Sequence, residues 1–210
     1  MGLLLRLSLV VFALCASAIA TSAATLTVSD HLALVYRQPQ GWQATSSAPE
    51  FLVRQTTEHV ARHLREAGKP VPEELEQQVR KRLANNELFL YNPQTRAHLE
   101  IDFSVINAED DPPPKESIAK SARYAKDELS QEPDLTDVVS DDHEYALKGA
   151  AVAYRVDATY QRDGEPRRFV GVISFVDRYW VFIYYTDEAR SEEDLQRLAE
   201  VLSGLSLVTR

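Results

Sequence analysis

Cysteine is almost absent from this chain, glycine is scarce, and no apolar run is long enough to span a bilayer. The one cysteine is Cys15, inside an N-terminal apolar stretch. Leu14 precedes it where a lipid-modified cysteine would need a small residue, so lipidation is not expected. Once that stretch is removed no thiol remains, which excludes disulfides and cysteine ligands. Seven glycines in the whole chain leave little room for a phosphate-cradling loop. Basic residues are in deficit, 23 against 32 acidic ones. The resulting negative surface repels phosphate backbones and anionic lipid, so nucleic acid is not an expected partner. The catalytic signatures are missing too: there is no Gly-x-Ser-x-Gly elbow and no serine set beside a lysine in a known pattern.

What is present begins with Leu7 to Ala20, a run of about 14 apolar or small residues preceded by Arg6. A spanning helix needs roughly 20, so the run is too short for a transmembrane anchor. Ala18-Ile19-Ala20 and Ser22-Ala23-Ala24 both suit the small-x-small rule of signal peptidase. Residues 1–24 therefore read as a cleavable secretory signal peptide, with the mature chain starting between Thr21 and Thr25. Loss of Arg6 leaves 22 basic residues and a net charge of −10. Export without cysteine points to a bacterial periplasm or secreted location. Residues 25–210, roughly 185 of them, suffice for a single domain with one core.

Thr25–Val28 and Leu32–Arg37 read as short strands, followed by a turn at Gln38-Pro39-Gln40-Gly41. Trp42 leaves that turn into an apolar strand, where burial is its expected fate. Thr56 or Thr57 is placed to cap a helix running to Ala67, stopped by Gly68. Pro70 and Pro72 open a second helix to Ala84, with Glu73, Glu74 and Glu76 first and Arg80, Lys81 and Arg82 last, an order that complements the helix dipole. Their apolar stripes are narrow, Val60 and Leu64 on one, Leu75, Val79 and Leu83 on the other, so a surface helical insertion at 56–84 is expected.

Leu88–Tyr91 and Ala97–Ile106 form a hairpin around Asn92-Pro93. Leu99, Ile101, Phe103 and Val105 face one way in its second strand; His98, Glu100, Asp102 and Ser104 face the other. The loop Glu109 to Pro114 opens a helix from Lys115 to Gln131. Strands at His143–Leu147, Ala151–Tyr160, Arg167–Val176 and Tyr179–Thr186 follow. Two of them, around Phe169–Ile173 and Trp180–Tyr184, are apolar on both sides and belong in the middle of a sheet covered on both faces. Ser191 with Asp194 makes a capping box for a last helix to Ser203, with Leu195, Leu198 and Leu202 at core spacing. The expected class is α+β, a central antiparallel sheet with helices on both faces in three layers.

His59 and His63, four apart on a helix, are the candidate metal ligands, because that spacing turns both rings the same way. A zinc-protease pattern needs glutamate just after the first histidine and Val60 stands there, so two solvated histidines and no bound metal or other cofactor are the favoured expectation. Glu109, Asp110 and Asp111, or Asp141, Asp142 and Glu144, are contiguous carboxylates that rarely converge on one calcium ion. Glu100 and Asp102 share a strand face about 7 Å apart, a separation glycosidases can use, though a polar outer strand face looks the same. Arg162, Arg167, Arg168 and Arg178 fall near turns, where solvated charge is the favoured reading. The charges offered to a protein partner are Glu73, Glu76 and Arg80 on the helical pair and Asp110 and Asp111 in the acidic loop.

Three stretches together resemble the PsbP-like superfamily, which includes the bacterial DcrB-type envelope proteins. Tyr36–Trp42, with Pro39-Gln40-Gly41-Trp42, is similar to its opening strand and Pro-x-Gly-Trp turn. The Lys115–Gln131 helix and the antiparallel meander after it match its middle, and Leu202–Leu207 resembles its closing helix and tail. Together they cover most of residues 31–208, and the helical pair is longer than that pattern implies. The superfamily's members are mostly non-catalytic: photosystem extrinsic subunits, envelope factors, and adaptor or immunity proteins of type VI secretion. The resemblance implies no catalytic residue. It implies a periplasmic binding module acting through protein–protein contact, as an inhibitor, immunity or envelope accessory protein. The alternatives are a small-ligand or lipid carrier using a sheet–helix cleft, and a hydrolase whose site assembles from distant residues.

Overall fold

A computed structural model describes residues 23–210, so the signal-peptide reading, apart from its last two residues, lies outside the described residues. Among the described residues no helix is long and apolar enough to cross a membrane.

The strands divide into two sheets. The small one holds β1 (Ala23–Thr27), β2 (Leu32–Arg37) and β10 (Ser206–Thr209), in the order β1-β2-β10. The large one comprises β3 (Gln43–Thr45), β4 (Asn86–Tyr91), β5 (His98–Val105), β6 (Leu135–Tyr145), β7 (Ala153–Arg162), β8 (Glu165–Val176) and β9 (Tyr179–Asp187). Its order is β3-β4-β5-β9-β8-β7-β6, with antiparallel pairing throughout. Four helices complete the chain: α1 (Glu50–Glu66), α2 (Leu75–Leu83), α3 (Lys115–Gln131) and α4 (Glu192–Gly204).

Register decides what each face of the large sheet carries. Ile101 pairs with Ile183, Leu99 with Tyr185 and Phe103 with Val181, so the apolar side of β5 continues onto β9. Val170 and Val172 extend it onto β8. This face packs against the small sheet and α4 in the main core, which includes Leu32, Leu34, Trp42, Leu198, Val201 and Leu202. A second sheet covering one face goes beyond what the sequence pattern shows, in which β10 reads as a tail after the last helix. It is held by a close approach at Gly149, whose φ is +89° and where a Cβ would stand 1.8 Å from the Leu207 carbonyl oxygen.

The opposite face is roofed in two pieces. Ile118 and Ala122 of α3 lie on Val156 and Ile173 over the β6–β8 side. At the other side α1 and α2 close over Phe89 of β4, with Leu52, Val53, Val79 and Leu83. The expected α+β architecture with helices on both faces is the one observed.

Three element boundaries differ from the sequence reading. Helix α1 begins at Glu50, with Pro49 as its N-cap. Thr57 is interior to it and donates its hydroxyl back to the Val53 carbonyl at 2.8 Å. Proline fixes φ near the value a helix entry needs and can end the preceding extended chain, so it competes successfully with a threonine cap. Helix α2 begins at Leu75, later than Pro72. Strand β6 begins at Leu135, well before His143. Its first half is broken by a bulge between Thr136 and Val139, with Asp137 at φ +52°. A bulged, acidic edge strand shows no clean alternation, which is also how edges resist further pairing.

Candidate functional site

The two roof pieces do not meet, and the gap between them is a cleft of about 890 Å³. Its floor is the polar side of β5 and the facing side of β9, with Glu100, Asp102 and Tyr184. One wall is α1, through Thr56, His59 and His63; the ends of α2 and α3 close it with Leu83 and Glu132.

The floor combines charge with aromatic surface. Asp102 pairs in register with Phe182, and Glu100 with Tyr184. Phe182 belongs to a row of rings along β9 and β8: Phe169 to Tyr184 at 6.1 Å, Tyr184 to Phe182 at 6.0 Å, and Phe182 to Trp180 at 6.0 Å, all stacked. Every ring of the row is only half-buried. The sequence places these strands under full cover; Phe169, Trp180 and Phe182 do pack against the α3 cluster, and of the row Tyr184 is the ring that lines the cleft. The readable signal was the alternation Trp180, Phe182, Tyr184, three aromatics on one side of a single strand.

Asn86 donates to Glu100 Oε2 at 3.0 Å, and His98 Nε2 stands 3.6 Å from Oε1. Among the described residues no ion pair engages Asp102, Glu128 or Glu132. Burial pushes the Asp102 carboxyl above its ordinary value. Burial, and then the neighbouring charges of Asp102 and Glu100, push the Tyr184 phenol up to about 12. Both shifts mark negative charge held in a partly dry place without a countercharge.

Helix α1 bridges the end of this face. Phe51 packs on Tyr91 and His98 at its start. Further along, Gln55 donates to Glu188 at 2.9 Å and Arg62 to Asp163 at 2.7 Å. Beside the second of those ties the structure sets His59 and His63 against Asp134, in the connection from α3 to β6. His59 Nδ1 is 3.8 Å and His63 Nε2 3.7 Å from the same oxygen, Asp134 Oδ2. Arg162 Nε lies 3.1 Å from that oxygen too. Burial holds the His59 imidazole below its usual value, with Arg162 and His63 acting in the same direction. The shared face of the two histidines was legible in their spacing. Asp134 was not, because its approach depends on how α3 hands over to β6.

The other flagged charges do not gather. Glu73, Glu76 and Arg80 sit on or just before α2, whereas Asp110 and Asp111 lie in the loop before α3. Arg80 is engaged by Glu50 at 2.7 Å and Glu76 at 2.8 Å, and Asp110 accepts from the Asn107 side chain at 2.9 Å. Asp142 is paired with Lys126 and Glu144 with Lys115, both on α3, while Asp141 stands on the other strand face. Arg178 lies at the β8–β9 turn, at the opposite end of the sheet from the β7–β8 hairpin that carries Arg162 and Arg167.

No protein-family model matches the chain, and comparison with curated proteins gives no match. Solved structures do resemble it. LpqN, involved in cell envelope biogenesis of Mycobacterium tuberculosis, matches with a TM-score of 0.51 at 12% identity, over 89% of this chain and 91% of LpqN. The chain shares its α+β fold with LpqN. Cyanobacterial PsbP (CyanoP) from Synechocystis sp. PCC 6803 matches at a TM-score of 0.47 and 10% identity, over 93% of this chain and 97% of that one. A protein from Bacteroides thetaiotaomicron VPI-5482 matches at 0.42 and 12%, over 84% of this chain and 45% of its own. The fold likeness rests on LpqN, the one of these three above 0.5. At such identities it concerns the fold alone, and no residue role passes with it.

Proposed function

We propose that this chain is an exported, non-catalytic binding module of a bacterial envelope, and that its cleft holds a basic segment of a protein partner. The observation that carries this reading is the cleft floor: two half-buried carboxylates, Glu100 with only His98 beside it and Asp102 in no ion pair among the described residues, set next to the Tyr184 ring. Lysine and arginine side chains suit both, through charge and through cation–π attraction to the tyrosine ring. Lys69 and Arg82 also border the cleft, but both are exposed and screened by solvent, whereas Glu100 and Asp102 are half-buried and act through a lower dielectric. Periplasmic or secreted residence is supported by the N-terminal apolar run and by the fold shared with an envelope protein. Helix α1, which the resemblance did not anticipate at this length, supplies one wall, in keeping with a partner-contacting role for the helical pair.

A small-solute carrier is the second reading, favoured by the cleft's position between sheet and helices. Its acidic floor argues against a lipid cargo and for a small cation. A hydrolase using Glu100 and Asp102 is the third. Affinity capture from envelope extract with the wild-type chain and with Glu100→Gln/Asp102→Asn tests the proposal. A protein retained by the wild type, released by moderate salt and lost from the double variant is the expected result. Equal retention by both chains overturns it. Saturable uptake of a polyamine, with no protein captured, selects the carrier instead.

A further inference from the structure

Among the contacts that fix α1 over the cleft, one has the makings of a metal centre. We propose that His59, His63 and Asp134 form a binding site for a zinc-class transition-metal ion, with a fourth position left to solvent or to an occupant of the cleft. This is independent of what the cleft binds.

The three donor atoms all lie within 4.8 Å of one another, and both imidazoles are within 3.8 Å of one carboxylate oxygen. Around a tetrahedral zinc ion with bonds of about 2.0–2.1 Å, donor atoms stand roughly 3.3–3.4 Å apart. Small side-chain rotations therefore bring the set to bonding distance with the backbone in place. The ligand types suit zinc, nickel or cobalt, since two imidazoles and one carboxylate are too nitrogen-rich for calcium or magnesium. The rings already face one another, with centroids 4.4 Å apart and planes 82° from parallel, as two ligands reaching one ion from successive helical turns must.

A second observation points the same way. Both oxygens of Asp134 are buried, and neither receives a hydrogen bond of acceptable geometry. Buried carboxylate oxygens are ordinarily satisfied, so this one is short of a partner. Arg162 contributes charge at 3.1 Å, and its Nε likewise lacks a hydrogen bond of acceptable geometry. Oδ2 is the oxygen that both histidines approach and that Arg162 Nε also faces, so seating an ion there moves the guanidinium over to Oδ1. Arg62 donates to His59 Nδ1 at 3.2 Å and must release it, and Asp163 at 2.7 Å is ready to hold that guanidinium alone. Binding there ties α1 directly to the α3–β6 connection and fixes the position of the cleft wall.

Calorimetric titration of the mature protein with zinc chloride, in a buffer that does not chelate, should show one equivalent bound with a Kd below about 10 μM. Cobalt chloride should give the intense visible absorption of a four-coordinate ion. His63→Ala and Asp134→Asn should each weaken zinc at least tenfold, with His143→Ala, at a distant exposed position, leaving it unchanged. His63 is partly exposed, so its variant is expected to remain folded, which circular dichroism verifies. No saturable binding below about 1 mM, or affinity unaltered in a folded His63→Ala protein, overturns the site.

Discussion

Trp42 shows how one side chain closes the main core. It leaves the Pro39–Gly41 turn between the two sheets, is only 3% exposed, and stacks on Tyr185 of β9 with centroids 6.4 Å apart and planes 14° from parallel. The turn is latched behind it, because Gln38 donates to the Trp42 carbonyl at 2.6 Å. Trp42→Ala would leave a void that both sheets border. The expected loss is about 3–5 kcal/mol, measured by urea denaturation; a loss under about 1 kcal/mol would mean that the site collapses without penalty. Burial of this residue was readable from the turn before it and the apolar strand around it. Its stacking partner was not, since Tyr185 reaches it only through the β5-β9-β8 register.

At the scale of elements, the legible parts were those whose local chemistry is unambiguous. Helix α3 runs over the expected Lys115–Gln131 after its proline triplet, and the Ser191 hydroxyl accepts from the Asp194 amide at 3.2 Å, one half of the expected capping box, while the Asp194 carboxylate accepts from Asn92 instead of reaching back to Ser191. The start of α1 and the first half of β6 were misread where a proline cap and a bulge replaced the stronger local signals. The cleft itself could not be read from the chain, since it is a gap between roof pieces whose positions are tertiary. That gap gives the helical pair a specific prospect. Helices α1 and α2 and Phe89 form their own apolar cluster, separate from the main core between the sheets. Replacing residues 50–84 with a glycine–serine linker should therefore leave a cooperatively melting sheet of lower Tm, with dye binding at the uncovered Phe89 and loss of the captured partner. A chain that unfolds outright, or one that keeps its partner, contradicts the idea that the pair is a wall added to a self-sufficient scaffold.

Over the whole molecule, acidity and burial act together on stability. The chain carries a net charge of −9, and several of its carboxylates lie where ionisation is unfavourable. Burial raises the Asp187 carboxyl above its ordinary 3.8, and the nearby Asp194 adds to the shift. Asp187 has no exposed surface at all, and its closest cation is Arg168 at 4.0 Å. Burial also raises Glu87 and Asp102. A carboxyl whose folded value exceeds its unfolded one keeps its proton longer in the folded state. Between those two values the folded protein binds more protons, so stability falls as pH rises through that window and then levels off. Easing of the general negative self-repulsion works in the same direction on the acid side. Exposed pairs such as Glu50 with Arg80 pull the other way, but solvent weakens them. Thermal melts started at the ordinary carboxylate value, near pH 4, and carried to pH 8 should accordingly show Tm falling as the pH rises from the acidic end and then levelling, the reverse of a protein held by ion-paired buried carboxylates. Asp187→Asn, which cannot ionise, should flatten the slope and raise Tm most at the alkaline end. A Tm that climbs as the pH rises from about 4, or a slope unchanged in Asp187→Asn, would show that these buried acids are satisfied by partners stronger than those the fold places around them.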